Sequence, residues 1–274
     1  MNATEAQAES PPDDFRFAGS GPMGRGLDRY DALRRDHPVM RVEEPGGVYW
    51  MVLKRELTRS CLQDTATFSS AAITPLDPDP AFRMIPVQLD PPEHKPWRHL
   101  LAGRFSPKRM AGLRPRLRSS CPELPDEIAA RDGCDYVAEF AERFSTLVFL
   151  ELVGLRASDL DLFLTWENDI LRFGDSEADK NRKMAATVQV MGYFTERIAE
   201  RRTSGRVGDD ISQALTWEID GDPIPDEALL NCCLLLFLAG LDTVTNTLSF
   251  AMRHLATHEG TGGTPPAPRV TACR

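Results

Sequence analysis

Residues 234–256 read LLLFLAGLDTVTNTLSFAMRHLA, and the fold follows from how that stretch is built. Pro225 and Asp226 open a helix that can continue to about His258, because proline is pre-set for a first turn and an acid suits the positive end of the helix. At 1.5 Å per residue it is roughly 50 Å long. Its middle, Cys232 to Leu241, is apolar on every side. That run is shorter than the roughly 18 residues that span a bilayer, so the expectation is a central core helix of a water-soluble protein. Inside it an acid and an alcohol, Asp242 and Thr243, follow a small pair, Ala239-Gly240. Burying a carboxylate is costly without partners, and Ala-Gly removes side-chain bulk. Together they predict a groove beside a buried acid and hydroxyl. The plainer alternative is a packing contact, with Asp242 satisfied by an arginine and Thr243 bonded back to a carbonyl one turn earlier.

The rest of the chain predicts a mainly α fold with a small β part. Helical spacing runs over Arg25–Asp36, with Leu27, Tyr30 and Leu33 on one side. Val39–Glu43 and Val48–Leu53 form two short strands joined through Pro45-Gly46-Gly47. A short helix follows over Lys54–Gln63. The Pro- and Asp-rich stretch Ala71–Pro92 is too long for a plain connector and suits a lid or pocket wall, with Ile85, Pro86 and Val87 as candidate substrate contacts. Residues 93–132 are helical but broken by Pro96, Pro107, Pro115, Pro122 and Pro125. Further helices are expected over Val137–Val153, from an N-cap at Ser158 to Phe173, and over Ala178–Arg202. A small hairpin turns at Asp220-Gly221-Asp222.

Composition excludes some functions. The net charge of −9 disfavours attraction to nucleic acid or anionic lipid. The start, MNATEAQAESPPDD, lacks the basic and apolar regions of a signal peptide, so a cytoplasmic protein without a membrane anchor is expected. Cys61, Cys121, Cys134, Cys232, Cys233 and Cys273 form no C-x-x-C pair, which argues against zinc.

Two motifs carry a family resemblance. Ala239-Gly240-Leu241-Asp242-Thr243 in a long central helix is similar to the A-G-x-D-T oxygen-binding motif of the cytochrome P-450 distal helix. The wider run resembles soluble bacterial members, including the camphor-hydroxylating type. Upstream, Asp90-Pro91-Pro92-Glu93-His94 followed by Arg98 resembles the family's D-P-P-x-H-x-x-x-R signature, although Pro96 between His94 and Arg98 departs from it. The resemblance covers about Arg25 to His258. It implies an incomplete cytochrome P-450 fold and a haem (heme) iron monooxygenase that inserts one oxygen atom from O2 into a small apolar substrate, a hydroxylation. Asp242 and Thr243 would be catalytic, handling dioxygen and its protons. His94 and Arg98 would bind the haem propionates, Ala239 and Gly240 would lie against the cofactor, and Leu235 and Leu238 would face the substrate. Electrons would come from NAD(P)H through a ferredoxin or flavin reductase. No acidic residue occurs between Glu93 and Glu123. The basic 95–118 region, with Lys95, Arg98, Arg104, Lys108, Arg109, Arg114, Arg116 and Arg118, suits an acidic redox partner.

Two later family signatures, E-x-x-R and F-x-x-G-x-x-x-C-x-G, do not follow the long helix. The chain is therefore expected to be truncated before the axial cysteine, with no metal ligand of its own and with activity and haem binding in doubt. The rivals are a non-catalytic truncated or pseudogene product and a helical partner-binding protein without haem. The expected layout is a disordered tail over 1–24, the N-terminal and central part of the domain over 25–258, and a disordered or frameshifted tail over 259–274.

Overall fold

The computed structural model describes residues 26–44, 47–73, 80, 82–120, 133–171, 176–204, 218–219 and 221–258. The two expected tails, Pro122 and Pro125 lie outside these residues. The chain divides into two compact units, Met1–Lys95 and Pro96–Arg274.

The first unit begins with helix α1 (Gly26–Asp36) and the strands β1 (Val39–Glu44) and β2 (Gly47–Val52). The strands pair antiparallel from Val39↔Val52 to Glu44↔Gly47. Gly47 sits at φ 137°, a backbone region that glycine adopts without steric cost. Alternation along β1 turns Met40 and Val42 inward onto Leu33 of α1, and Tyr49, Met51 and Leu53 pack against that cluster. Helix α2 (Arg55–Gln63) follows. The long loop after it is held by side chains. The buried Gln88 accepts the Met84 N–H at 2.6 Å and donates to the Ala71 carbonyl at 2.8 Å. Asp90 accepts the Ser70 N–H at 2.7 Å and the Ser69 hydroxyl.

The division between the units falls in the first turn of helix α3 (His94–Arg104). Pro96 is tolerated there because a first-turn N–H has no partner in the helix to lose. Helix α4 (Pro107–Ser120) starts on a proline for the same reason, and carries Pro115 inside it.

Four helices form the core of the second unit. A π turn at Val137–Ala141 runs into α5 (Glu142–Val153). Asp135 caps it by accepting the Val137 and Ala138 N–H groups at 3.0 and 3.1 Å, while Glu139 accepts the Asp135 N–H at 2.8 Å. This reciprocal arrangement serves the N–H groups a helix start leaves over. α5 ends at Gly154, in the left-handed region at φ 71°, where a glycine stop is favoured. Next come α6 (Leu160–Leu171) and α7 (Glu177–Ser204). Ser158 is not the N-cap expected of it. The chain enters α6 through a 3-10 turn at Ala157–Asp159, and the Ser158 hydroxyl faces the Asp159 carboxylate at 3.4 Å. Short strands β3 (Glu218–Ile219) and β4 (Asp222–Pro223) form the small hairpin, and α8 (Asp226–Thr257) is the long helix.

α8 packs against α5, α6 and α7. Each of the four helices contributes rings to one cluster around Phe163, which is fully buried. Its ring centroid lies 6.0 Å from Phe149 of α5, 5.3 Å from Tyr193 of α7 and 5.6 Å from Phe237 of α8. Most of these pairs are edge-on or tilted, as ring quadrupoles prefer. Trp166 adds its indole N–H to Gln189 at 2.9 Å.

Two expectations about α8 are corrected. Its apolar character extends beyond Cys232–Leu241: an 18-residue window has a mean hydropathy of 1.9, so by length and composition the helix is able to cross a membrane. A core helix passes the same test, and α8 packs on three others. Nor is it covered all round. Leu229, Cys232, Leu234, Phe237, Leu241 and Thr245 are buried, whereas Ala239, Thr243, Val244, Asn246, Thr247 and Phe250 are exposed.

Candidate functional site

The exposed side of α8 carries the hydroxyl singled out in the sequence. Thr243 Oγ1 donates to the Ala239 carbonyl at 2.8 Å, and Thr247 repeats the bond to the Thr243 carbonyl at 2.8 Å. These back-bonds satisfy the hydroxyls within the helix. Asp242 is half-buried, and its Oδ1 accepts the Asn246 amide N–H at 2.8 Å. Its hydrogen-bond partner among the described residues is thus an asparagine one turn on, not an arginine.

The Ala239-Gly240 pair divides between two roles. Ala239 stands on the exposed side with Thr243, one turn away. Gly240 points toward α5, where a Cβ would meet the Phe149 ring at 3.0 Å. Its small size therefore lets α8 approach α5 and does not open a groove on the exposed side. Leu235 and Leu238 are half-buried in the same helix. Ile85 and Pro86 are buried and Val87 is exposed. These three belong to the first unit and the two leucines to the second.

His94 opens α3, half-buried, and Arg98 follows one turn later, exposed and without an ion pair among the described residues. Asp90 leads into that helix, its carbonyl accepting the His94 N–H at 3.0 Å. Hydrogen bonds from the Ser69 hydroxyl and the Ser70 N–H, helped by the charge of His94, hold the Asp90 carboxyl below its ordinary value. The acid of the D-P-P-E-H motif thus clamps the preceding loop, a role the sequence reading did not assign.

A second acid was also missed. Glu167 of α6 is 7% exposed, and its Oε2 has no hydrogen-bond partner. Burial pushes its carboxyl up to about 8, assisted by the negative charges of Glu142 and Asp242, while the Thr146 hydroxyl acts in the opposite direction. Glu142, on α5, is raised by its own burial and by Asp135. The signal was present: Glu167 falls four residues after Phe163 and three before Ile170, on the buried face of α6. In the string WENDIL it reads as surface because Asn168 and Asp169 follow it.

Among the described cysteines, Cys232 is buried and its thiol pushed far up by burial, and that of Cys233 is pushed up to about 12. Both are protonated at neutral pH. No group of three or more His, Cys, Asp or Glu suited to a metal ion occurs among the described residues.

The chain matches no protein-family model. It is 33% identical over 209 residues to the "Probable cytochrome P450 127A1" of Sinorhizobium fredii, a match covering 76% of this chain and 49% of that protein. It is 31% identical over 227 residues to the "Mycinamicin IV hydroxylase/epoxidase" of Micromonospora griseorubida, covering 81% of this chain and 56% of that one. The solved structure of the bottromycin biosynthetic protein SalCYP shares the fold with a TM-score of 0.76 at 25% identity, over 94% of this chain and 63% of that chain. The chain spans about half the length of the curated relatives it matches.

Proposed function

This chain belongs to the cytochrome P450 family, and on that premise we propose that it forms the oxygen-facing part of a haem monooxygenase acting on a small apolar substrate in the cytoplasm. The observation that carries the reading is the Ala239–Thr243 strip of α8: a methyl group and a hydroxyl one turn apart on an exposed helix face, with the Asp242 carboxylate next in the chain. A helix face bearing only small side chains at that point suits a flat macrocycle laid against it. Haem, when bound, supplies dioxygen binding and reduction.

The chain's own residues do the rest of the work. Thr243 holds a proton at Oγ1, which its back-bond to Ala239 orients. Asp242 exchanges a proton with that neighbourhood, a task that needs a positioned titratable group. His94 and Arg98 hold the propionates, and a guanidinium gives a carboxylate strong charge-assisted bonds. Leu235 and Leu238, half-buried on α8, supply apolar contacts to substrate. In this reading residues 25–258 are the N-terminal and central part of the domain. Electrons from NAD(P)H arrive through a ferredoxin or flavin reductase at the basic 95–118 region, where Arg98, Lys108, Arg114 and Arg118 are exposed.

Haem titration of the purified chain, read by Soret absorbance, tests the reading. Binding is expected, and Arg98→Ala is expected to weaken it by about tenfold or more, since hydrogen bonds to charged groups contribute about 1.5–3 kcal/mol. Absence of any Soret change with the unaltered chain would overturn it.

A further inference from the structure

We infer that the cleft between α1 and α2 binds a small anionic amphiphile, its phosphate or carboxylate head held by arginines and its apolar tail laid along two leucines. All the walls belong to the first unit. α1 contributes Arg34, the residue after β2 is Leu53, and α2 contributes Arg55, Thr58, Arg59 and Leu62, with Gln63 at its end. Positions 55, 58, 59 and 62 follow the i, i+3, i+4, i+7 spacing and so share one helical face. The cleft opens to solvent and has a volume of about 570 Å³, inside the range of roughly 300–1,000 Å³ typical of small-molecule sites. Its walls are tied to the hairpin. Leu53 packs on the buried Leu33, Met40 and Val42, and its N–H donates to the Pro38 carbonyl at 3.0 Å. The Thr58 hydroxyl of α2 donates to the Val52 carbonyl at 3.4 Å. A frame already in place lowers the ordering cost of binding.

The charge of the cleft calls for an anion. Three arginines line it and no acid does. Arg34 pairs with Asp31 across an exposed contact, which binds weakly in water. Arg55 and Arg59 are exposed and form no ion pair among the described residues, although Glu56 stands on the same helix. Like charges gathered on one cleft repel, and an anion set among them removes that repulsion. Guanidinium forks match the oxygens of a phosphate or carboxylate, and Thr58 and Gln63 add polar groups beside them. The leucines call for an apolar part. α2 buries none of its residues, and Leu62 is 77% exposed. An inorganic anion would leave Leu53 and Leu62 uncovered, and a purely apolar ligand would leave the arginines unneutralised. The net charge of −9 disfavours approach to an anionic lipid surface, so the ligand is a free molecule. The cleft shares no residue with the haem and oxygen strip on α3 and α8, and its assignment does not rest on that reading.

Isothermal titration calorimetry of the full chain with octyl phosphate, and separately with inorganic phosphate, tests the inference. Octyl phosphate is expected to bind saturably at one molecule per chain, about tenfold or more tighter than inorganic phosphate, because its chain covers the leucines. Arg55→Gln and Arg59→Gln are each expected to weaken octyl phosphate by about tenfold, the scale of one charge-assisted hydrogen bond. Leu62→Asn is expected to weaken octyl phosphate several-fold and to leave inorganic phosphate unchanged. All three side chains are exposed, so the fold does not depend on them. Arg182→Gln removes the same charge from an exposed position on α7 and is expected to change nothing. Absence of saturable octyl phosphate binding, equal affinity for the two probes, or an Arg182→Gln effect as large as that of Arg59→Gln would each overturn the inference. Sedimentation of the chain with phosphatidic acid vesicles, without binding of octyl phosphate, would overturn it in favour of a lipid surface.

Discussion

Replacing Glu167 by glutamine is expected to change how stability depends on pH, and the size of the effect follows from its burial. The folded chain holds this carboxyl at about 8, against an ordinary value of 4.5. A group raised on folding stabilises fully below its unfolded value, and that stability is lost as pH climbs to the folded one. Between pH 4.5 and about 8 each pH unit removes about 1.4 kcal/mol. The loss reaches about 3 kcal/mol at pH 7 and about 5 kcal/mol above the window. Glutamine has nearly the same shape and never ionises. Its amide finds no better partners than the acid did, which costs about 1–2 kcal/mol at every pH. The variant is therefore expected to be slightly less stable than the parent near pH 4.5 and more stable above about pH 7. Urea denaturation at intervals from pH 5 to 9, followed by circular dichroism, measures the difference directly. A difference that stays constant across this range, or that falls with rising pH, would refute the reasoning.

Three further outcomes follow from the packing. Phe163→Ala removes the ring that joins all four core helices and is expected to cost about 3–5 kcal/mol, visible as a lowered urea midpoint. Gly240→Ala places a methyl 3.0 Å from Phe149. The overpacking cost of about 1–3 kcal/mol exceeds the gain of about 0.5–1 kcal/mol in helix propensity, so thermal melting should show net destabilisation, relieved by adding Phe149→Leu. Tyr193→Phe deletes the hydroxyl that donates to the buried Asp159 carboxylate at 2.6 Å and is expected to cost about 1.5–3 kcal/mol. A Tyr193→Phe variant as stable as the parent would show that Arg156, 3.3 Å from Asp159, suffices alone.

What could be read in the sequence was whatever depends on neighbours in the chain. Periodicity located α1, the hairpin, α7 and α8 to within a residue or two, because an apolar stripe at 3.6 or 2.0 residues is written locally. The Asp242-Thr243 pair and the Asp90–Arg98 motif were legible for the same reason: each is a contiguous string. Tertiary structure decided what depends on residues far apart. Whether Gly240 opened a groove or admitted a neighbour depended on where Phe149 stood. That α8 is covered on one side only depended on α5, α6 and α7 packing against that side. Glu167 has an ordinary helical context, and only the burial of its face, together with the charges of Glu142 and Asp242 from two other helices, makes it a neutral acid. Desolvation and charge act through space, and a linear string records neither.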